Sequence, residues 1–419
     1  IAKLRLWLSL IVDQEIDEEN PCPHPLPNLD CNIMCGNSLI DEFEGIKLFD
    51  ESLLSKQGHS KDNTFESYQI SLFQDQIEML LEDLFKEQDR LFGEEDNAKK
   101  MEIKKRIDKT IDSIIRAKLS RDKNKEGLIK YEQSLKEKTK PYFLWKLEFA
   151  KIFKEKGGFD IVIGNPPYVN IYKIPDEQKN YYLKNNKYKS AVQKFDLYVL
   201  FMEMSFSILK SKGISSFIVS NKWLSQGYGK GIREIYLNKC IYRLINFNFK
   251  VFDATVDTVI VVACNIEMKD ENIMVLNMYQ KNLTNNRGDI LNRIKDLLYN
   301  DESYNKVPKS IFINTEENNF RLNLTDRKIS IIDLIKQQSK PLEEFCYIAY
   351  GLRGNAPSLG VGKDYFIKES NEDGFYKRYF EGKDIRRWNF ESHLFLDYQP
   401  QLHYNSMFEE LFISEKLVC

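Results

Sequence analysis

Apolar strands alternate with amphipathic helices in the middle of this chain. The pattern predicts strands at residues 159–164, 214–220, 242–249 and 255–267, and helices at residues 195–213 (closed by Gly213) and 229–240. Such alternation is typical of a doubly wound α/β sheet, in which ligands bind at the carboxyl ends of the strands. The connection between the last two strands is too short for a crossover helix, so we expect antiparallel neighbours.

Different patterns mark the first third of the chain. Residues 1–19 predict a helix whose apolar face includes Leu4 and Leu8, and residues 29–40 predict a short strand ending at Gly36-Asn37. Residues 60–140 predict an antiparallel helical hairpin, with Gly93 ending its first helix. Its two helical faces carry Ile77, Leu81, Leu84 and Leu91, and then Ile103, Ile107, Ile111, Ile114 and Lys118.

Towards the carboxyl terminus the periodicity weakens and then returns. Residues 268–325 are polar and asparagine-rich, which favours an exit from the sheet and a linker. A new unit begins near Thr325 with a helix over residues 325–338, followed by short strands and turns. Residues 375–388 interleave basic and aromatic side chains, a pattern suited to a polyanion with exposed bases or grooves and equally to a mixed surface over a small β core.

Composition narrows the class of protein without identifying it. The 419 residues carry 61 basic and 63 acidic side chains, so the net charge of −2 neither marks nor excludes nucleic-acid binding. Seven cysteines, mostly in apolar runs, indicate reduced thiols of a cytoplasmic protein. Cys22, His24, Cys31 and Cys35 fit no standard zinc module, so no metal site is expected.

Neither end of the chain has the pattern of a natural terminus. It starts at Ile1 inside a helical pattern and stops after EKLVC, so we expect an internal piece of a longer protein. No apolar run reaches the roughly 18 residues that a membrane-spanning helix requires.

The strand at residues 159–164 ends on Asn165-Pro166-Pro167-Tyr168. Proline lacks a backbone N–H and cannot continue a central strand, so two prolines fix a rigid, extended exit. The Asn165 side-chain oxygen and the Pro166 carbonyl can then point the same way as two preplaced acceptors, with the flat ring of Tyr168 beside them.

This arrangement suits an exocyclic aromatic amine. Such an amine is weakly nucleophilic because its lone pair is delocalised into the ring. Two acceptors that hold its N–H bonds localise the lone pair and stabilise developing positive charge, without a strong base. A stacked aromatic ring orients the base. The motif therefore favours attack by a base amine on a methyl donor over a chance turn.

The stretch GFDIVIGNPPYV resembles the catalytic motif of amino-methyltransferases that use S-adenosylmethionine, particularly DNA adenine-N6 methyltransferases. AKLRLWLSL, CGNSLI, PYFLWKLEFAKIF, the stretch from KFDLYVLF to SNKWL, and VFDATVDTVIVV resemble, in order, segments of large type IIG restriction–modification methylases. IAYGLRGNAP and YFEGKDIRRW resemble the opening of their target-recognition domain. The resemblance implies a Rossmann-like α/β methyltransferase sheet, amino-terminal strands missing, with a helical-hairpin insertion and the beginning of a mixed α+β recognition domain.

The same resemblance implies an organisation of the chain. Residues 1–59 would be a partial methyltransferase core, residues 60–140 the helical insertion and residues 141–267 the catalytic core. Residues 268–324 would be the exit and linker, and residues 325–419 an incomplete target-recognition domain.

It also implies roles for particular residues. Asn165 and Pro166 would accept the adenine N6 hydrogens, Tyr168 and Phe252 would stack on the flipped-out base, and Pro167 would line the sulfur of S-adenosylmethionine. Asn37 and Ser38 would flank the cofactor adenine, although the family often has an acidic residue in place of Asn37. Double-stranded DNA would be the partner, contacted by Arg353, Lys383, Arg386 and Arg387. Asp196 stands near the motif, either as a helix cap or as a catalytic group.

One departure and two alternatives accompany this resemblance. The glycine-rich loop that wraps the methionine moiety, and the acidic residue that binds the ribose, do not occur upstream of residue 160. The chain alone is therefore expected to bind cofactor poorly and to be inactive. An amino-methyltransferase for protein glutamine or RNA, and an inactive truncated DNA-binding fragment, remain the alternatives.

Overall fold

The structure of the chain is a computed structural model. It describes residues 2–12, 33–43, 46–47, 65–94, 96–121, 125–136, 140–183, 187–192, 194–252, 257–268, 272–279, 287–323, 326–346, 360, 362–372, 374–386 and 389–403. The chain divides into two compact units, residues 1–326 and residues 327–419. None of the helices in these ranges is long and apolar enough to cross a membrane.

The first unit begins with helix α1 (Ala2–Val12), on which the side chains of Leu4 and Leu8 are exposed. Two short antiparallel strands follow, β1 (Glu42–Phe43) and β2 (Ile46–Lys47). The strand predicted up to Gly36-Asn37 was wrong over its described part, since residues 33–37 are irregular. The reason is a tight turn packed against residues 140–143, where a Cβ on Gly36 would lie 2.6 Å from the Tyr142 carbonyl oxygen.

The predicted helical hairpin is confirmed. Helices α2 (Phe65–Gly93) and α3 (Asn97–Arg121) pack against each other, and α2 ends at Gly93 as expected. All the isoleucines and leucines of the two predicted faces are buried except the half-buried Leu91, and Lys118 is half-buried. A third helix, α4 (Lys125–Ser134), was not predicted and packs against α3.

The hairpin is joined to the rest of the first unit by a buried glutamine. The Gln88 amide nitrogen donates to the carbonyl oxygens of Leu147 (3.1 Å) and Glu148 (2.9 Å), and its oxygen accepts from the Lys151 backbone N–H (3.1 Å). Tyr142, Leu144, Leu147 and Ala150 share a core with the buried faces of the helices. The insertion therefore packs on the segment that leads into the central sheet.

That sheet has six strands and carries helices between them. In chain order the elements are α5 (Trp145–Glu148), α6 (Ala150–Lys156), β3 (Phe159–Gly164), α7 (Asp176–Leu183), α8 (Tyr198–Ile208), β4 (Leu209–Ser220), α9 (Lys230–Leu237), β5 (Cys240–Asn248), β6 (Thr258–Cys264), β7 (Asn272–Tyr279), α10 (Arg287–Tyr299), β8 (Asn305–Pro308) and α11 (Lys309–Ile313). The strand order is β3-β4-β6-β5-β7-β8. Strands β3 and β4 are parallel, as are β5 and β7, and the other neighbours are antiparallel. The mixed α/β sheet and the antiparallel pairing of β5 with β6 confirm the expectations from sequence.

Two predictions about this region were wrong. The helix predicted to close at Gly213 ends at Ile208, and residues 209–213 belong to β4. Gly213 instead allows β4 to approach its neighbour, since a Cβ there would lie 2.8 Å from the Phe159 carbonyl oxygen. The linker predicted from residue 268 contributes strands β7 and β8 to the sheet. The asparagines of β7 obscured the apolar pattern of its buried residues, such as Ile273 and Val275, in the sequence.

The second unit starts with helix α12 (Asp326–Gln338), in agreement with the predicted helix. Its strands are short: β9 (Ile367–Lys368), β10 (Lys377–Tyr379), β11 (Ile385–Arg386), β12 (Asn389–Phe390) and β13 (Leu394–Leu396). Strands β10, β13 and β9 form an antiparallel sheet over a small core that includes Phe366 and Leu396.

Candidate active site

The candidate site begins where β3 ends. Asn165 follows Gly164, the last residue of β3, whose close contact with Phe217 of β4 leaves little space for a side chain. The side chain of Asn165 is exposed, Pro166 is buried and Pro167 is exposed. No described residue hydrogen-bonds the Asn165 carboxamide, so its oxygen is available to an external donor. The two prolines thus end the strand and present the amide at the sheet edge.

Tyr168 is fixed from two sides. Its hydroxyl donates to the Ile218 carbonyl oxygen of β4 at 3.1 Å, and its ring meets that of Tyr198 edge-to-face, with centroids 5.8 Å apart and planes at 72°. Burial raises the pKa of the Tyr168 hydroxyl above its ordinary value, so the group remains a neutral donor at physiological pH. The ring is therefore held in one orientation beside Asn165 before any substrate arrives.

The segment after Tyr168 is bonded to the segment that precedes α8. The Leu197 N–H donates to the Val169 carbonyl oxygen (2.8 Å), and the Ile171 N–H donates to that of Phe195 (3.0 Å). The Asp196 carboxylate accepts from the Asn170 amide at 3.1 Å. The described bonds of the Asp196 carboxylate go to Asn170 and Tyr228 and none goes to a backbone N–H of α8, so the structure gives no support to the capping alternative.

Phe252 lies at the same edge of the sheet as the Asn165 motif. Strands β4 and β5 both run antiparallel to β6, so β3, β4 and β5 have their carboxyl ends on one edge. Phe252 follows β5 and is 37% exposed. Since β5 is the third strand from β3, about 14 Å away, the loop must reach back over β4 and β6 to bring Phe252 to Tyr168. Its stacking role stays a prediction.

Asn37 and Ser38 form a turn that is attached to neighbouring segments. The Asn37 amide nitrogen donates to the Tyr182 hydroxyl (3.3 Å), its oxygen accepts from the Leu39 N–H (3.1 Å), and the Ser38 carbonyl oxygen accepts from the Trp145 indole N–H (3.1 Å). The Asn37 oxygen keeps a second lone pair, and Pro167 presents an exposed apolar ring. No described contact joins Asn37 or Ser38 to Pro167: Ser38 bonds Trp145, whose ring packs on Phe159 at the start of β3, whereas Pro167 follows the end of β3. The shared role of these residues in holding the cofactor stays a prediction.

A cavity of about 280 Å³ also borders Ser38, but it belongs to a different part of the fold. Its lining includes Leu39, Trp145, Tyr188, Met204 and Ile208, and none of the residues from Asn165 to Tyr168. Ile208 immediately precedes β4, whose first residue pairs with the first residue of β3, whereas Asn165 follows the carboxyl end of β3. A six-residue strand is about 20 Å long, so this cavity is not the site of the amine.

The predicted DNA-contacting residues are mostly beyond what the structure describes. Lys383 is exposed and pairs with Glu381 at 3.0 Å. Arg353 and Arg387 lie outside the described residues, and for Arg386 only the backbone, in β11, is described. Cys22, His24 and Cys31 likewise lie outside, and the described part of the chain contains no cluster of three or more possible metal ligands.

Sequence reasoning missed the polar chain behind Tyr168. Tyr228 donates to Asp196 at 3.4 Å, and its hydroxyl lies 2.7 Å from that of Tyr198. Asn170, two residues after the motif, was the available signal, because an asparagine at a loop end often bonds to nearby backbone. Its partner 26 residues away could not be read from the sequence.

Comparison with known proteins gives a family and several relatives. The family model described as Eco57I restriction-modification methylase matches residues 1–252. RM.MjaORFECS2P of Methanocaldococcus jannaschii, whose name assigns it to the type II restriction enzymes and methyltransferases, is 26% identical over 453 aligned residues, covering 92% of this chain and 33% of that protein. The type II restriction enzyme and methyltransferase RM.Eco57I of Escherichia coli is 36% identical over 93 residues, covering 21% of this chain and 9% of that protein. The chain thus spans a third or less of the length of these relatives.

Among solved structures, the type IIG restriction endonuclease BpuSI matches with a TM-score of 0.30 at 18% identity. The match covers 51% of this chain and 26% of that structure. The matched segment of the family model includes Asn37, Asn165 and Tyr168, so the sequence match spans the candidate site.

Proposed function

We propose, because the chain belongs to the Eco57I restriction-modification methylase family, that it methylates the N6 amine of adenine in a specific double-stranded DNA sequence. The methyl donor would be S-adenosylmethionine, and the setting a restriction–modification or phage-defence system. The observation that carries this proposal is the exposed carboxamide of Asn165, which has no protein partner within the described ranges and stands beside the anchored ring of Tyr168.

The residues of the motif would act on the amine. The Asn165 side-chain oxygen and the Pro166 carbonyl accept the two N6 hydrogens, which turns the nitrogen lone pair out of the ring. As the amine takes up the methyl group, these acceptors stabilise the positive charge on nitrogen. One N6 proton then leaves to water, and no side chain of high basicity is required.

Asn37, Ser38 and Pro167 would hold the donor. When bound, S-adenosylmethionine supplies an electrophilic methyl group on a sulfonium, and the electron pair of the broken carbon–sulfur bond stays on sulfur. The task of these residues is to orient the nucleoside and to keep water from the transfer path.

The DNA base must leave the duplex to reach Asn165 and Tyr168, because in the duplex one N6 hydrogen of adenine is bonded to thymine and both faces of its ring are stacked. Tyr168 would stack on the extruded ring, with Phe252 as its second neighbour. Lys383, Arg353, Arg386 and Arg387 are the residues we propose to contact DNA.

The test is Asn165→Ala in the full-length protein. DNA incubated with S-adenosylmethionine and enzyme is digested to nucleosides, and N6-methyladenine is quantified by mass spectrometry. We expect the product to disappear, while DNA binding measured by fluorescence anisotropy persists. Asn238→Ala is the matched control, since Asn238 is an exposed asparagine at the end of α9 whose side chain, among the described residues, bonds only the Glu234 carbonyl oxygen.

Two results would contradict the proposal. Undiminished methylation by Asn165→Ala would remove the assigned acceptor. A wild-type product methylated at a cytosine amine, an RNA base or a protein glutamine would assign the activity to another substrate class.

A further inference from the structure

Asn170 and Asp196 hold the motif loop against the start of α8. They face each other in an antiparallel bridge, with backbone bonds on both sides, Val169 to Leu197 and Ile171 to Phe195. The Asn170 amide nitrogen donates to the Asp196 carboxylate (3.1 Å) and to the Lys194 carbonyl oxygen (3.2 Å). The Asn170 side-chain oxygen accepts from the Tyr172 N–H at 3.2 Å. Both ends of this amide are therefore engaged in fixing the loop.

The second oxygen of Asp196 leads back to Tyr168. It accepts from the Tyr228 hydroxyl at 3.4 Å, and that hydroxyl lies 2.7 Å from the hydroxyl of Tyr198. Tyr198 is fully buried and meets the Tyr168 ring edge-to-face. A continuous path of contacts thus runs from Asn170 through Asp196, Tyr228 and Tyr198 to Tyr168.

The hydroxyls in this path are suited to a fixed structural role. Burial raises the pKa of both Tyr198 and Tyr228 well above the ordinary tyrosine value, so they stay protonated. The neutral Tyr228 hydroxyl donates to one Asp196 oxygen and the Asn170 amide donates to the other, so both oxygens have protein donors. A carboxylate with both oxygens engaged in this way is poorly placed to take a proton from substrate.

We propose that Asp196 is a positioning residue for methyl transfer: it accepts from Asn170 and Tyr228 and thereby holds Tyr168 and the Asn165 amide in place. This rests on the proposed function. The carboxylate supplies acceptors of the right geometry, and its negative charge is not needed for the chemistry.

The test compares Asp196→Ala with Asp196→Asn in the full-length protein. Asparagine keeps an acceptor for Asn170, and its amide nitrogen can donate to the Tyr228 hydroxyl. For Asp196→Ala we expect kcat for N6-methyladenine formation to fall about 100-fold, the scale of a 1 Å misplacement, with KM for DNA unchanged. Asp196→Asn should recover most of this and lose only about fivefold, since a charge-assisted hydrogen bond is roughly twice as strong as a neutral one.

Equal inactivity of Asp196→Asn and Asp196→Ala would overturn the proposal, because it would show that the charge or basicity of the carboxylate is needed. Wild-type kcat in Asp196→Ala would overturn it too. Circular dichroism and thermal midpoints report whether each variant is folded. If the wild-type protein yields no N6-methyladenine, the proposed function fails, which is a separate outcome.

Two further variants test the path if Asp196→Ala does not fold. Tyr228→Phe keeps the ring and removes the hydroxyl that joins Asp196 to Tyr198, so kcat should fall with KM unchanged. Asn170→Asp places two carboxylates face to face and should reduce kcat more strongly, and the exchange Asn170→Asp with Asp196→Asn should restore part of it. Wild-type kcat in Tyr228→Phe, or no recovery in the exchange, would contradict the positioning role.

Discussion

At the scale of single residues, the motif combines one available group with one anchored group. Asn165 is exposed at the strand end and has no described protein partner, whereas Tyr168 is bonded to Ile218 and packed on Tyr198. The prolines explain the availability of the amide, since they prevent the chain from continuing as a strand. The anchoring of Tyr168 explains how its ring keeps its orientation without substrate.

Tyr168 should therefore tolerate loss of its hydroxyl better than loss of its ring. Tyr168→Phe removes one hydrogen bond worth about 1 kcal/mol and keeps the stacking face. Tyr168→Ala removes the ring, and stacking on a base is worth about 1–3 kcal/mol, or roughly 5- to 150-fold in kcat/KM. Single-turnover methylation of DNA measures both variants. Equal losses in the two would show that the hydroxyl, rather than the ring, matters.

At the scale of elements, the helical insertion is joined to α5 and α6, the segment that leads into the sheet, by side-chain hydrogen bonds that the hydrophobic periodicity does not predict. The hydrophobic spacing predicted α2 and α3 and their buried faces, because burial on a helix repeats with its turn. The packing partner of the hairpin, residues 142–150, is distant in sequence and is joined to it through Gln88. The end of α8 was missed for a similar reason: residues 209–213 pair with neighbouring strands instead of continuing the helix.

Gln88→Ala should loosen the insertion. It leaves the Lys151 N–H and the Leu147 carbonyl oxygen without their buried partner, which costs about 1–3 kcal/mol of unfolding free energy. Urea denaturation followed by circular dichroism gives this value. Glu82→Ala, at an exposed position of the same helix, is the control and should be near wild type. Equal stability of the two variants would show that Gln88 does not stabilise the contact of the insertion with α5 and α6.

At the scale of the first unit as a whole, buried tyrosines occur in both large cores. Burial raises the pKa values of Tyr131, Tyr142, Tyr198, Tyr228 and Tyr236. Each raised pKa contributes stability that is complete below the unfolded value of about 10. This stability is lost as the pH rises towards the folded value, because the unfolded chain releases the proton first. The unit should therefore lose stability in alkali.

Tyr142→Phe isolates one member of this set. Burial raises the pKa of Tyr142 to about 12, so its contribution falls away between pH 10 and that value. Over this window the unfolding free energy of the variant should fall less steeply than that of the wild type, by about 1.4 kcal/mol per pH unit. Denaturant titrations at several pH values measure the slope, with the exposed Tyr299→Phe as control. An unchanged slope in Tyr142→Phe would contradict the assignment.

The sequence by itself determined the α/β class, the helical hairpin, the antiparallel pairing of β5 and β6, and the abrupt end of the strand before Asn165. These features depend on local geometry: the period of burial, the short connection, and the fixed backbone of proline. Only the tertiary structure decided that β7 and β8 complete the sheet and that Phe252 lies at the same edge of the sheet as Asn165. It also decided that Tyr168 is supported by Asn170, Asp196, Tyr228 and Tyr198. Those contacts join residues far apart in the chain, and their partners become defined only when the strand order brings them together.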